Sequence, residues 1–543
     1  MAFLDLEKIK YCKSPYEIAA LCYKVIRENL VQENVREQVF LSSYVFEPLE
    51  NNTGVIIRDH DNSSIGKYKS WHEKLYKIMQ DFHATHKGMK TFIDSIIEFF
   101  NNPTPTPSST LENLASLYAL LAVIDEWAYN YGCDFEVGNV FSLPDEEIAT
   151  YRLPNTNVFD NVIRKFNLRR RQNCYDTDIK SHLLSLLILE KSHLPPHVEF
   201  PPKISIVNIS VPDKKDIAPS TLPQTLSVEN RLTIAIIHPL SKAMNGDALE
   251  DRLLAFETID GSGNFRVRYR HDYKECLLEH MISCLERAIN NGAQIIVFPE
   301  YVVSSELSAG IQHYLQTNKT LTRNSKLLLV VAGSAWQKIS ADTPGDINGG
   351  KLYNRVGQLL GEYQKFEPFT QTRDGKTLTE YLSNSAKVSL VYISGLGLIL
   401  PLICRDIVNM HGPECLIQSY NPVLTPIVAW SNRIEYGFLP PMETFAQSYY
   451  TFGIMCDACA SREIDADYLG LVCVPHKRQD TGDEQFVPEA FSKQIIKKSS
   501  VCNSCKSGGC IQWVTVDFTD TAFASSREKA ETFFQIDHTS PFY

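Results

Sequence analysis

Apolar residues recur at three- and four-residue steps through the first third of the chain. EIAALCYKVIREN (17–29), WHEKLYKIMQDFHATH (71–86), MKTFIDSIIEFF (89–100) and LENLASLYALLAVIDEWAYNYG (111–132) each read as an amphipathic or buried helix. The loop NNPTPTPSST (101–110) separates the last two; Ser109 or Thr110 caps the helix that Glu112 helps to start, and Gly132 ends it. Residues 1–194 are therefore expected to form a mainly α-helical domain. From 195 to 229 prolines crowd the chain, with one short strand candidate, ISIVNISV (204–211), and this stretch reads as a linker.

After residue 230 the period changes to strand, helix, strand. LTIAIIHPL (232–240) is a buried strand, YKECLLEHMISCLERAINNG (273–292) a helix with an Asn-Gly stop, and AQIIVFPE (293–300) a second buried strand. Further strands are expected at 326–335, 386–394, 396–404 and 425–430, with a helix around METFAQSYYTF (442–452). The apolar run from Val388 to Cys404 is broken by Ser394, Gly395, Gly397 and Pro401 and is short for a membrane span, so two strands joined by a turn are expected. The pattern predicts an α/β domain over 230–543 whose polar chemistry sits at strand ends.

The 543 residues carry 53 Lys+Arg against 64 Asp+Glu, a formal charge of −11, with 44% hydrophobic residues. That balance argues against nucleic acid and anionic membranes as partners and for small molecules or proteins. Asp5, Glu7 and Lys8 interrupt the apolar core a secretory signal would need, so a cytoplasmic protein is expected. Fourteen scattered cysteines fit buried thiols rather than a disulfide framework. No phosphate-binding loop or dinucleotide fingerprint occurs, and no cofactor is expected.

Three residues stand where strands finish: Glu300 in VFPEY, Lys365 in EYQKFEPF and Cys404 in LPLICRDI. A nucleophile, a base and a cation converging from separate strand ends suit acyl transfer. In these contexts the sequence resembles the nitrilase superfamily of carbon–nitrogen hydrolases over about residues 230–480, with NGAQIIVFPE, GLGLILPLIC, PIVAW and FAQSYYTFGIMCDACASR as supporting stretches. The resemblance implies a four-layer α-β-β-α sandwich, with Glu300 as base, Lys365 as fixed positive charge and Cys404 as nucleophile of a thioester mechanism on an amide. It also implies a second glutamate that positions the substrate and the lysine: Glu380 is the candidate and Glu367 its rival. A homo-oligomer is implied likewise.

Asp406, after the nucleophile, favours amide over nitrile. Arg405 offers its backbone N–H to an oxyanion hole, while its side chain recruits an acidic substrate or makes a structural ion pair. Where relatives carry an Asn, this chain has Asp457 or Ala458. Residues 241–272 form an insert expected to shape the pocket or bind a partner. The function expected is hydrolysis of a carboxamide C–N bond. The alternatives are an amidotransferase or acyltransferase using the same cysteine, or a scaffold for assembly or signalling whose helical region binds a protein partner; the intact Glu-Lys-Cys set argues against the scaffold.

Weaker signals have plainer explanations. Cys502, Cys505 and Cys510, with Cys456 and Cys459, have zinc-like spacing, but a Gly/Ser-rich loop and core packing account for them, and no metal is expected. His72, His83 and His86 beside Trp71 lack a carboxylate set and fit a helix face. Arg164, Lys165, Arg169, Arg170 and Arg171 fit a solvated face.

Overall fold

The computed structural model describes residues 6–30, 62–85, 88–107, 110–131, 140–142, 148–152, 183, 186–194, 203–209, 231–240, 245, 251–259, 262–338, 346–373, 375–383, 387–393, 396–408, 416–417, 420, 422–431, 437–449, 451–458, 468–475, 491–497, 510–517 and 534–537. The chain divides into two compact units, Met1–His193 with Gln418–Tyr420, and Leu194–Ile417 with Asn421–Tyr543.

In the first unit the helices are α1 (Leu6–Ile9), α2 (Pro15–Leu30), α3 (Asn62–Thr85), α4 (Met89–Asn101) and α5 (Thr110–Tyr131). Helix α5 is apolar almost all round and is buried from Leu114 to Ala128 on most of its circumference, packing against α2 and α3. An antiparallel sheet of β1 (Val140–Ser142), β2 (Ile148–Arg152) and β3 (Leu186–Glu190) adds to the helices the pattern predicted. Its strands are too short to show a period of two. Glu190 is buried and accepts a hydrogen bond from the Tyr23 hydroxyl at 2.7 Å while pairing with Arg27. His72 lies 3.4 Å from Glu126. His86, the basic run 164–171, Ser109 and Gly132 lie outside the described residues.

The second unit holds two large sheets. Strands β4 (Lys203–Asn208), β5 (Arg231–His238), β6 (Leu254–Ile259), β7 (Asn264–Tyr269), β8 (Ile295–Val297), β9 (Leu329–Val331), β10 (Ala335–Lys338), β11 (Asp346–Asn354) and β12 (Leu359–Gln364) come first. They are followed by β13 (Thr370–Arg373), β14 (Lys376–Glu380), β15 (Lys387–Ile393), β16 (Gly397–Ile399), β17 (Leu402–Ile403) and β18 (Leu424–Ala429). The last are β19 (Phe452–Asp457), β20 (Tyr468–Pro475), β21 (Phe491–Lys497), β22 (Cys510–Asp517) and β23 (Phe534–Asp537).

One sheet runs β10-β11-β9-β8-β5-β22-β23, with β12 on β11; the other runs β21-β20-β19-β18-β16-β15-β4, with β17 on β18. Strands β5, β8 and β9 pair in parallel, as do β17, β18 and β19, and their sequences are apolar without alternation because both faces are covered. Helix α6 (Tyr273–Asn290) packs against β5, β22 and α7 (Ser305–Thr317), and α8 (Lys319–Asn324) against both helices. On the other sheet, α10 (Leu439–Tyr449) covers β19, β20 and β21, and α9 (Arg405–Val408) follows β17. The sheets meet where β12 lies against β15 and β4, and β5 against β19.

Several sequence expectations acquire detail. Within the Pro-rich stretch, β4 pairs in parallel with β15 and the Ile209 N–H continues the pairing onto the Tyr392 carbonyl at 2.9 Å; the rest of 195–229 lies outside the described residues. The Val388–Cys404 run becomes the antiparallel pair β15 and β16 followed by β17, Pro401 separating the last two. The insert 241–272 contributes the hairpin β6–β7, which joins a third sheet, β13-β14-β7-β6. Cys456 is fully buried between the large sheets, its thiol against the carbonyls of Ile237 and Val297, and Cys510 is half-buried in β22. Cys459, Cys502 and Cys505 lie outside the described residues, among which no group of three or more potential metal ligands occurs. No described helix is long and apolar enough to cross a membrane.

Candidate active site

Glu300, Lys365, Cys404 and Glu380 all stand at strand ends and converge. Glu300 follows β8, where Pro299 has no N–H to continue the ladder. Tyr301 then turns the chain at φ +61°. The turn is packed from below by Gly333, itself at φ +62°, where a Cβ would lie 2.4 Å from the Pro299 carbonyl oxygen, so no other residue fits. Lys365 follows β12. Its N–H donates to the Asn348 carbonyl at 2.8 Å, extending the β11–β12 register beyond Gly349 and Gln364 and setting Asn348 and Lys365 side by side on one face. Cys404 directly follows β17, with its N–H on the Val428 carbonyl at 2.8 Å and φ at +46° before α9 begins. A left-handed non-glycine residue costs about 1 to 2 kcal/mol, and here it aims the thiol out of the strand line.

The four side chains form one buried cluster. Lys365 Nζ lies 2.8 Å from Glu300 Oε1 and 2.8 Å from Glu380 Oε2, with the lysine side chain 1% and both carboxylates 0% exposed. Of the three ammonium hydrogens one is donated to Glu300 Oε1, and Glu380 is held as an ion pair. The Cys404 thiol stands within electrostatic reach of the Glu300 carboxyl and the Lys365 ammonium, and the Trp430 N–H donates to Glu300 Oε2 at 2.8 Å. Asn348 Nδ2 donates to Glu300 Oε1 at 2.9 Å and to Glu380 Oε1 at 3.0 Å. The Tyr301 hydroxyl donates to Glu380 Oε1 at 2.7 Å, and its ring lies 5.6 Å from Lys365 Nζ.

These contacts set the proton affinities. Burial, and next the Glu300 charge, push the Cys404 thiol well above its ordinary range, so it rests neutral. Burial raises Glu300 as well, against the pull of Lys365. Burial alone would lower Lys365, but Glu300 and Glu380 overcome it and hold the ammonium charged. A neutral thiol beside a carboxylate of raised affinity, with a fixed cation at hand, can exchange one proton over a short path.

Glu367 faces elsewhere: its carboxylate lies 3.9 Å from Arg405 Nε, so Glu380 meets the lysine and Glu367 the arginine. Asp406, read in the sequence only for its neighbourhood to the cysteine, ties the nucleophile turn to the lysine loop. Its Oδ1 accepts from the N–H groups of Phe366 (3.1 Å) and Glu367 (2.9 Å), and its Oδ2 from Ile403 (3.2 Å). Asp406→Asn presents an NH2 where acceptors are needed. About 3 kcal/mol of lost stability is expected from the buried N–H groups left unmet, to be read from urea unfolding midpoints; a loss below about 1 kcal/mol would refute this role. Asp457 is fully buried and accepts from the Ser431 N–H at 2.7 Å, while the Ala458 N–H donates to Ala429.

The insert hairpin reaches the site too. Its Tyr269 hydroxyl donates to the Tyr301 carbonyl at 2.8 Å and accepts from the Trp336 N–H at 3.1 Å. Phe256, from β6, stands edge-on to Tyr301 and to Trp430 at centroid distances of 5.5 and 5.9 Å. Sequence patterning missed Asn348, Asp406 as a tether, and these aromatic contacts, all of which depend on pairing between distant segments.

No family model matches the sequence, and no curated protein matches it significantly. Among solved structures the chain is similar to Saccharomyces cerevisiae Nit3, a member of branch 10 of the nitrilase superfamily, at TM-score 0.32 and 14% identity over 55% of this chain and 93% of that one. It is similar as well to an amidase from Nesterenkonia sp., at TM-score 0.29 and 14% identity over 49% of this chain and 91% of that one. A cysteine-to-alanine mutant of the Nesterenkonia AN1 amidase from the nitrilase superfamily gives TM-score 0.30 and 13% identity over 50% of this chain and 92% of that one.

Proposed function

We propose that the second unit is a carbon–nitrogen hydrolase of the nitrilase superfamily, built as a four-layer α-β-β-α sandwich, that cleaves a non-peptide carboxamide through a thioester on Cys404. The observation that carries the reading is the meeting of a thiol, an ammonium and a carboxylate, each from a different strand end, in one buried cluster with 2.8 Å between Lys365 and Glu300. The placement of α6 on one large sheet and α10 on the other supports the layered reading.

In this reading Cys404 Sγ attacks the carbonyl carbon of the amide as its proton passes to Glu300. Negative charge builds on the carbonyl oxygen and is met by the Lys365 ammonium and by the Arg405 backbone N–H. Collapse breaks the C–N bond, and Glu300 returns its proton to the leaving nitrogen, so ammonia or an amine departs. Water then attacks the thioester as Glu300 takes its proton; the C–S bond breaks, the carboxylic acid departs, and Glu300 returns that proton to Sγ to restore the thiol. Glu380 holds Lys365 and so positions the charge. Phe256, Tyr301 and Trp430 present an apolar wall suited to an uncharged acyl group.

The test is covalent capture by 2-chloroacetamide, a carboxamide that is also a thiol electrophile, followed by peptide mapping of the full chain. Rapid alkylation of Cys404, absent from Cys404→Ala, is expected, together with ammonia release from a panel of carboxamides. Added amines that consume the acyl group without raising free acid would redirect the assignment to a transferase. If Cys404 reacts no faster than the exposed Cys276, the proposal fails.

A further inference from the structure

The two buried carboxylates are chemically alike, yet the mechanism needs one to take a proton and the other to stay put. Their hydrogen-bond inventories differ. A carboxylate offers about four lone-pair sites, two on each oxygen. Glu380 is held on both oxygens: Oε1 accepts from the Tyr301 hydroxyl and Asn348 Nδ2, and Oε2 accepts from the Phe369 N–H at 3.0 Å and pairs with the Lys365 ammonium at 2.8 Å. Glu300 has both sites of Oε1 occupied by Lys365 and Asn348, but Oε2 accepts from the Trp430 N–H alone among the described hydrogen bonds. The vacant site on Oε2 is thus the one left for the Cys404 proton.

Asn348 decides this on both sides. It is 0% exposed, and the two hydrogens of its Nδ2 go one to each carboxylate. The reverse amide orientation would turn a carbonyl oxygen toward two carboxylates, so the nitrogen must face them. We propose that Asn348 is a positioning residue that closes the Oε1 face of both Glu300 and Glu380, so that the proton leaving Cys404 has a single landing place, Glu300 Oε2. The inference rests on the hydrolase reading above and names a residue which that reading does not use.

Removing Asn348 frees one lone pair on each carboxylate and withdraws a donor that favours the charged form of Glu300. The charged and titratable groups facing Glu300 are Lys365 at the end of β12, Tyr363 on β12, Glu380 at the end of β14, Cys404 after β17, Tyr269 on β7, and Tyr301 in its own turn. Burial holds the tyrosines above their ordinary range and the paired carboxylates hold Lys365 charged, so through the neutral range the acid limb of Cys404 reactivity reports Glu300.

The experiment measures the rate of Cys404 alkylation by 2-chloroacetamide against pH for the full chain and for Asn348→Ala, with thermal melts in parallel. The acid limb is expected to move up by about one pH unit in Asn348→Ala, with the plateau lowered about tenfold. Asn348→Ser, able to donate to one carboxylate, is expected to recover part of the shift. A residue that only supports packing would lower the melting midpoint and leave the limb where it was, which would overturn the proposal. If Asn348→Ala does not fold, Asn348→Ser and Asn348→Thr carry the measurement, each with a smaller shift in the same direction; if none of them folds, Asn348 is structural and the proposal falls. Absence of preferential Cys404 alkylation in the unaltered protein would instead sink the hydrolase reading itself.

Discussion

Lys365→Met is expected to destabilise the second unit by about 3 to 5 kcal/mol and to abolish measurable turnover. The lysine side chain is 1% exposed and makes 2.8 Å contacts to two carboxylates that are 0% exposed, so its removal leaves Glu300 and Glu380 facing each other without a countercharge. Methionine matches the length and volume of the stem, which confines the loss to the charge. The cost is the desolvation of carboxylates no longer compensated, and one of them must then bind a proton. A second substitution should relieve it: Lys365→Met with Glu380→Gln is expected to recover more than half of the lost stability, because only one buried carboxylate remains. Urea unfolding of the single and double variants at neutral pH checks both figures. A single variant as stable as the unaltered chain would mean that the ammonium does not balance this cluster.

The same cluster shows why some of the molecule is legible in sequence and some is not. Helices such as α5 and α6 are visible because their packing is written in side-chain spacing along one segment. Glu300 and Cys404 are visible because each closes an apolar strand run, where a polar residue needs a reason to be, whereas Lys365 in EYQKFEPF is picked out by its family-like context. Glu380 comes into view only through the family resemblance, since TLTEYL on its own is an ordinary strand end. Asn348 is hidden in DINGGKLYN, a stretch whose two glycines argue for a turn. Its place beside Lys365 is fixed by antiparallel pairing with β12, and pairing register is a property of two segments. Asp406 is hidden in another way: its backbone partners, Phe366 and Glu367, are loop N–H groups that no side-chain pattern marks. The hairpin β6–β7 falls in a polar insert, and its value lies in Tyr269 and Phe256 reaching a turn more than one strand away. Sheet β1-β2-β3 is missed for want of length.

Glu300→Gln is expected to slow Cys404 alkylation and amide turnover by about 10²- to 10⁴-fold while leaving the fold intact. Glutamine keeps an oxygen for Lys365 and Asn348, but it can no longer accept the thiol proton. The pH profile separates this from a packing effect. Burial, and after Lys365's opposing pull the charge of Glu380, raise the Glu300 carboxyl above its ordinary value, so the basic form persists only down to the raised value. Reactivity of the unaltered protein should therefore fall as pH drops, with its midpoint above the roughly 4.3 of a free glutamate. In Glu300→Gln that limb should vanish. What remains is a thiol that burial still holds above its ordinary range, so the residual rate should climb steadily toward alkaline pH without a plateau near neutrality. A glutamine variant that keeps the acid limb at its original position would assign the titration to another group, and Glu300 would lose its role as the base.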